Sequence, residues 1–168
     1  ARYAKKCQDE GIIPIIEPEI LMDGNHHISE ANLVTAKVLH HVFDALYYED
    51  VSLENLVLKP NMILSGYGCK HKAKPSVVAK ITVDSFLRSV PAAVPMIAFL
   101  SGGQPDTEAL RNLNQINKRN PPWYVSFSFG RALQNGALEL WGKGKSFEAQ
   151  DWILQRAKEC SDSVKGVL

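Results

Sequence analysis

The sequence predicts an α/β fold with a parallel sheet, and the chain is expected to form half of a (β/α)8 barrel. Three observations carry this expectation. Short β-branched runs alternate four times with helical stripes, a pattern that implies parallel pairing and right-handed crossovers. Each run ends in a residue with chemistry to offer, namely Glu17, Lys59, Ser101 and Ser128. Barrel enzymes build their sites from the loops at the carboxyl ends of such strands. The chain also opens on Ala1, already inside a helical pattern, so preceding sequence is expected to be missing. A small doubly wound sheet satisfies the first observation alone. A full barrel needs roughly 250 residues, and residues 1–168 are expected to supply about its last four βα units, as the C-terminal half of one domain.

Taken in order, residues 1–10 set Ala4 and Cys7 at helical spacing, and Gly11 stands where a helix ends. Residues 12–16 are a dense apolar run without alternation, expected to be buried on both faces of a parallel sheet. Glu17, Pro18 and Glu19 close it. After a turn at Met22, Asp23 and Gly24, Ser29 is the expected N-cap of a helix striped by Leu33, Val34, Val38, Leu39, Val42 and Leu46. A second strand ends at Lys59, because Pro60 cannot continue the ladder.

A loop through Gly66 and Gly68 leads to a helix over 76–88, with Val77, Val78, Ile81 and Phe86 as its apolar positions. The third strand, 96–100, ends in Ser101, Gly102 and Gly103, and Asp106 is expected to cap a helix bearing Ala109, Leu110, Leu113 and Ile116. The fourth, 124–127, ends in Ser128, and Gly130 starts a helix through Leu133, Leu138 and Trp141. A final amphipathic helix over 147–160 turns Trp152, Ile153 and Ala157 inward.

Composition narrows the function classes. With 45% hydrophobic residues, 22% charged and a formal net charge of +1, the chain has no electrostatic footprint for nucleic acid or anionic membrane, and neither partner is expected. No apolar run approaches the roughly 20 residues that cross a bilayer. Cys7, Cys69 and Cys160 are odd in number and outside any Cys-x-x-Cys pattern, which suits free thiols in a reducing, cytoplasmic compartment. His26 and His27 are adjacent, as are His40 and His41, and His71 stands in a lysine-rich loop, so no metal-ligand spacing is present and no metal is expected.

The chemistry gathers at the strand tips. Lys59 is delivered to the end of an apolar strand; in a water-poor mouth its charged form is disfavoured, and the free amine attacks a carbonyl to form a Schiff base. The ordinary alternative is a stem packed on apolar neighbours with its head in water. Glu17 and Glu19, two apart, share a side if the backbone stays extended, and a carboxyl beside Lys59 would move protons during imine chemistry; otherwise Pro18 merely ends the strand between two solvated glutamates. Ser101, Gly102 and Gly103 leave backbone N–H groups unobstructed, while Gly130 and Arg131 open a helix whose positive end attracts anions. Together they suit a phosphate, and separately they are a common turn and a solvated first-turn arginine. Trp123, Tyr124, Phe127, Trp141 and Trp152 read as packing residues.

Four motifs, Glu17-Pro18-Glu19-Ile20-Leu21, Leu58-Lys59-Pro60-Asn61-Met62, Phe99-Leu100-Ser101-Gly102-Gly103-Gln104 and Ser128-Phe129-Gly130-Arg131-Ala132-Leu133, resemble in order and spacing the second half of class I fructose-bisphosphate aldolases. The resemblance runs from residue 1 to about residue 141. It implies a (β/α)8 barrel that reversibly cleaves fructose 1,6-bisphosphate to dihydroxyacetone phosphate and glyceraldehyde 3-phosphate, in glycolysis and gluconeogenesis, with neither metal nor cofactor. By motif, Lys59 would be the Schiff-base lysine, Glu17 the main proton-transfer carboxylate and Glu19 a supporting carboxylate. Ser101, Gly102, Gly103, Ser128, Gly130 and Arg131 would hold the phosphate next to the ketone. A cytoplasmic homo-oligomer, commonly a tetramer, is implied as well.

The chain departs from the family at Phe129, where tyrosine is usual, at Ser65, where proline is common, and at Met96, where glycine is common. The family draws an acidic residue, further lysines and the second phosphate's contacts from the other half of the barrel, so these residues alone are not expected to be an efficient aldolase. Another Schiff-base sugar-phosphate lyase, or a non-catalytic phosphate-binding or scaffold fragment, are the alternatives; a metal-dependent aldolase fits less well.

Overall fold

A computed structural model describes residues 1–168. Four parallel strands, β1 (Ile15–Ile16), β2 (Val57–Leu58), β3 (Met96–Phe99) and β4 (Tyr124–Phe127), lie side by side in chain order. Helices α2 (Ile28–Tyr48), α3 (Pro75–Ser89), α4 (Asp106–Asn117) and α5 (Arg131–Gly142) follow them one by one, with α1 (Arg2–Asp9) before and α6 (Ser146–Val164) after. The strict β-then-α alternation and the order β1-β2-β3-β4 are those of consecutive barrel staves.

The core fills the space between sheet and helices. Leu58, Ile97, Phe99 and Val125 from the strands meet Leu39, Leu46, Val78, Phe86, Leu113 and Ile116 from the helices in one cluster of 29 buried residues. Phe86 of α3 stacks on Phe99 of β3 with ring centroids 5.7 Å apart. Local signals behave as their chemistry requires. Gly11, at φ +72, ends α1: its N–H donates to Gln8 and that of Ile12 to Cys7, which satisfies two orphaned carbonyls.

The first strand is shorter and more exposed than expected. Within 12–16 only two residues join the ladder, because Pro14 has no N–H to donate, and pairing begins where its carbonyl accepts from Val57 at 3.0 Å. Ile12 and Ile13 are exposed, as is Ile15 at 54%, since β1 is an outer strand with nothing across its free edge. Tyr124 is exposed on the opposite outer strand.

Helix phases also need correction. His27 rather than Ser29 caps α2, its Nδ1 accepting from the Ser29 N–H. The buried face is then Ile28, Ala31, Thr35, Leu39 and Leu46, which leaves Leu33 and Val34 outside. Val77 is exposed on α3, and the inward face is Val78, Ala79, Thr82, Val83 and Phe86. Asp106 is the first residue of α4, with Pro105 at the cap position; its carboxylate faces Arg156 of α6 at 3.8 Å instead of capping.

The last two helices form an antiparallel hairpin. Gly136 permits it, because a Cβ there would fall inside the indole of Trp152. Arg156 lies over that indole, 4.9 Å from the ring centroid, and also pairs with Glu159 at 3.2 Å. Ala149 and Cys160 are the buried apolar anchors of α6, whereas Ala157 is exposed and Trp152 and Ile153 are half-buried. Leu138 and Trp141 of α5, expected inward, are exposed.

Burial pushes the Cys160 thiol up to about 11, opposed in part by Arg156. In the native protein Cys160 is therefore expected to resist iodoacetamide at pH 8 while Cys7 and Cys69 react, as read by peptide mass after differential alkylation. The folded chain holds the thiol proton more tightly than the unfolded one, so this contribution to stability is complete below about pH 9 and fades as pH rises towards 11. Denaturant titrations should show that alkaline slope reduced in Cys160→Val.

Candidate active site

The site grows out of strand register. Ile16 pairs with Leu58, and beyond that pair the Lys59 N–H donates to the Ile16 carbonyl at 2.7 Å. Glu17 and Lys59 thus leave neighbouring strands at the same level. Their side chains meet: Lys59 Nζ lies 3.0 Å from Glu17 Oε1, with the lysine side chain 20% exposed and the glutamate 47%. A mostly buried amine and a more open carboxylate are within proton-transfer distance at the tips of β1 and β2.

The loops after β3 and β4 form a second group. Leu58 pairs with Ile97 and Phe99 with Phe127, so Ser101 stands about three residues beyond the level of Lys59, roughly 10 Å along the strands. Ser128 is close to the level of Ser101, and its N–H donates to the Phe99 carbonyl at 2.8 Å. Gly102 and Gly103 both adopt positive φ, +57 and +74, a left-handed pair that only glycine enters without strain. Arg131, the first residue of α5, brings its guanidinium against Gly103: a Cβ on that glycine would lie 3.4 Å from both Nη atoms. Gly130 caps the same helix and has open space around it. A turn of free backbone N–H groups, a guanidinium fork and a helix N-terminus therefore converge, a set of donors that suits a phosphate.

Glu19 behaves differently from Glu17. Its charge, with those of Asp23, Glu108 and Arg131, acts on the Tyr67 hydroxyl, whose proton is held more tightly than usual, chiefly because the group is partly buried. Tyr67 donates that proton to the Gly102 carbonyl, and its backbone N–H donates to Met22 at 2.8 Å. It links the loop after β1 to the turn after β3. The residue lies outside the four motifs, and its place between Gly66 and Gly68 is the one sequence signal of a tight loop. Gly66 is required there, because a Cβ would come within 2.6 Å of the Gly24 carbonyl.

Support behind the turn is polar and buried. Gln104 donates through Nε2 to the Ser101 carbonyl at 2.9 Å and accepts at Oε1 from Asn112 Nδ2 at 2.7 Å. The histidines have separate local posts: His27 caps α2, and His40 Nδ1 approaches the Ala36 carbonyl at 2.7 Å. No three His, Cys, Asp or Glu side chains converge where they could hold a metal ion, and no helix is long and apolar enough to cross a membrane.

Comparison with known proteins gives one consistent family. The family model described as glycolytic, fructose-bisphosphate aldolase class-I, matches residues 1–168. A probable fructose-bisphosphate aldolase class 1 of Xylella fastidiosa is 47% identical over 163 residues, which is 95% of this chain and 49% of the relative. The cytosolic fructose-bisphosphate aldolase 4 of Arabidopsis thaliana is 49% identical over 171 residues, 99% of this chain and 43% of the relative. Among solved structures, the fructose-bisphosphate aldolase of Plasmodium falciparum superposes with a TM-score of 0.94 at 46% identity, over 98% of this chain and 48% of that one. The chain spans about half the length of the relatives it matches.

Because Gly103 combines positive φ with contacts to Tyr67 and Arg131, Gly103→Ala is expected to cost about 1–3 kcal/mol. Gly130→Ala, at φ −90 with nothing within 4 Å, should cost less than about 1 kcal/mol. Chemical denaturation of the two variants checks the difference.

Proposed function

The chain belongs to the class I fructose-bisphosphate aldolase family, and from that premise we propose that the protein carrying it reversibly cleaves fructose 1,6-bisphosphate through a Schiff base on Lys59. The observation that supports this most directly is the 3.0 Å pair of Lys59 Nζ and Glu17 Oε1 at adjacent strand tips.

The chemistry proceeds by proton traffic across that pair. Lys59 gives a proton to Glu17 and becomes a neutral nucleophile, whose lone pair attacks the substrate's ketone carbon. Glu17 returns the proton to the resulting hydroxyl, which leaves as water as the iminium forms. The iminium is an electron sink: the hydroxyl beyond the scissile bond loses its proton to Glu17, the carbon–carbon bond breaks into the iminium, and the aldehyde product departs. The enamine left on Lys59 takes up a proton at carbon, and water hydrolyses the iminium to release dihydroxyacetone phosphate and the free amine. One carboxyl serves as acid and as base in turn because it stays within reach of the same nitrogen. Glu19 adds negative charge near this region.

Ser101, Gly102, Gly103, Ser128, Gly130 and Arg131 hold the phosphate adjoining the ketone. Binding energy gathered there orients the carbonyl against Lys59, and well-oriented reactants reach effective molarities of roughly 10⁵ M or more. The rest of the barrel is proposed to cover the free edges of β1 and β4, where Ile15 and Tyr124 are exposed, and to bring the second phosphate's contacts. A cytoplasmic location agrees with the cytosolic relatives and with three unpaired thiols; a homotetramer follows the family resemblance.

Treating the intact protein with dihydroxyacetone phosphate and borohydride is expected to leave a reduced adduct on Lys59, located by peptide mass, and Lys59→Arg should carry none. Glu17→Gln should lower turnover by about 10²-fold or more. Absence of the adduct on the intact wild-type protein would overturn the mechanism.

A further inference from the structure

Between β1 and β2 the backbone ladder stops at Lys59, yet the segment beyond Ile16 is held again four residues later, at Ile20. Asn61 Oδ1 accepts from the Ile20 N–H at 2.9 Å, and Asn61 Nδ2 donates to the Met62 carbonyl at 3.0 Å. The side chain is 3% exposed. Its two ends cannot be exchanged, because Ile20 offers a donor and Met62 an acceptor. Glu17, Pro18 and Glu19 are therefore strung between two anchors that both come from the segment bearing the lysine: the Lys59 N–H on Ile16 and the Asn61 amide on Ile20.

We propose that Asn61 is a positioning residue that fixes the Glu17 carboxylate against Lys59 by clamping the strand-tip segment at Ile20. The argument rests on what the segment would do without it. Glu17 is the first residue past the last ladder bond and is 47% exposed, so no packing holds its backbone from the solvent side. Pro18 donates no hydrogen bond and Glu19 is exposed. The Ile20 N–H is the next fixed point, and its partner is Asn61. Backbone pairing would hold both chains, but the next rung would need an N–H on Pro18 to donate to the Lys59 carbonyl, and Pro18 has none; the Asn61 amide takes over as a side-chain substitute for one further rung. Because the clamp is two residues from the nucleophile on the same chain, any shift of Ile20 relative to Lys59 appears at the carboxylate. Asn61 makes no hydrogen bond to the Ser101–Gly103 turn, which Gln104, Asn112 and Tyr67 hold, or to Arg131. Its loss should act on proton transfer and leave the phosphate grip unaffected.

The inference rests on the aldolase reading, and the test separates the two. In the intact protein, Asn61→Leu and Asn61→Ser each remove the acceptor for Ile20. The expected result is a fall in kcat of about 10–100-fold for both variants, with KM for fructose 1,6-bisphosphate within about threefold of wild type. If Leu does not fold, as judged by circular dichroism, Ser carries the comparison. Unchanged kcat in Ser, or parallel changes in kcat and KM, would overturn the clamp. Wild type that traps dihydroxyacetone phosphate on Lys59 keeps the aldolase reading whatever the variants do; wild type that does not trap it overturns both.

Discussion

A single backbone hydrogen bond, from the Lys59 N–H to the Ile16 carbonyl at 2.7 Å, sets the level on which the candidate chemistry depends. In a parallel sheet, side chains alternate between faces with a period of two, so a slip of one residue would send Lys59 to the opposite face and away from Glu17. The register is defended from below. Leu56 and Leu58 are fully buried in the same core cluster as Ile97, Val78 and Phe86, and a core so filled leaves no room for the polar residue that a slip would insert. Packing in the core thus decides where a nitrogen sits at the surface.

Beyond the strands, order is maintained by the loops themselves. Three successive N–H groups, of Gly66, Tyr67 and Gly68, donate to His26, Met22 and Gly24, binding the loop after β2 to the loop after β1. The same Tyr67 reaches the turn after β3 through Gly102. Residues from three connections become one rigid rim, although the strands beneath are only two to four residues long. Short strands suffice because the rim supplies backbone pairing that the ladder does not.

The succession of strands, their parallel sense and the residues that follow β1, β2 and β4 were legible in the sequence, because periodicity and proline or glycine punctuation are local signals, whereas β3 ends at Phe99, one residue earlier than expected, and leaves Ser101 two residues past it. The fourth strand agrees residue for residue. What was not legible depends on neighbours. Leu33, Val34 and Val77 are apolar residues on exposed faces, and an apolar stripe does not say which of its members touch the sheet. Ile12 and Ile13 read as buried because an isoleucine run looks the same in a central or an outer strand, and Pro14 between them and the ladder was the signal against it. Asn61 and Tyr67 are invisible for another reason: their partners, Ile20 N–H and Gly102 C=O, are backbone groups 41 and 35 residues away, and backbone groups carry no sequence identity.

The turn after β3, proposed to hold phosphate, illustrates why buried polar groups belong under such a site. Left-handed backbone at Gly102 and Gly103 directs amides outwards but leaves the Ser101 carbonyl pointing into the protein, with Ser101 itself buried. An unpartnered buried carbonyl costs roughly 1–3 kcal/mol, and the turn would relax by rotating it to solvent, turning the amides away. The Gln104 backbone N–H, at 3.1 Å, and the amide chain from Asn112 through Gln104 both supply the Ser101 carbonyl and remove that incentive. Gln104 lies two residues before α4 and Asn112 in its middle, so the core of α4 fixes the direction of the donors at the rim. An anion bound there as proposed would meet amides already aligned, with the reorganisation that would otherwise weaken binding completed by folding.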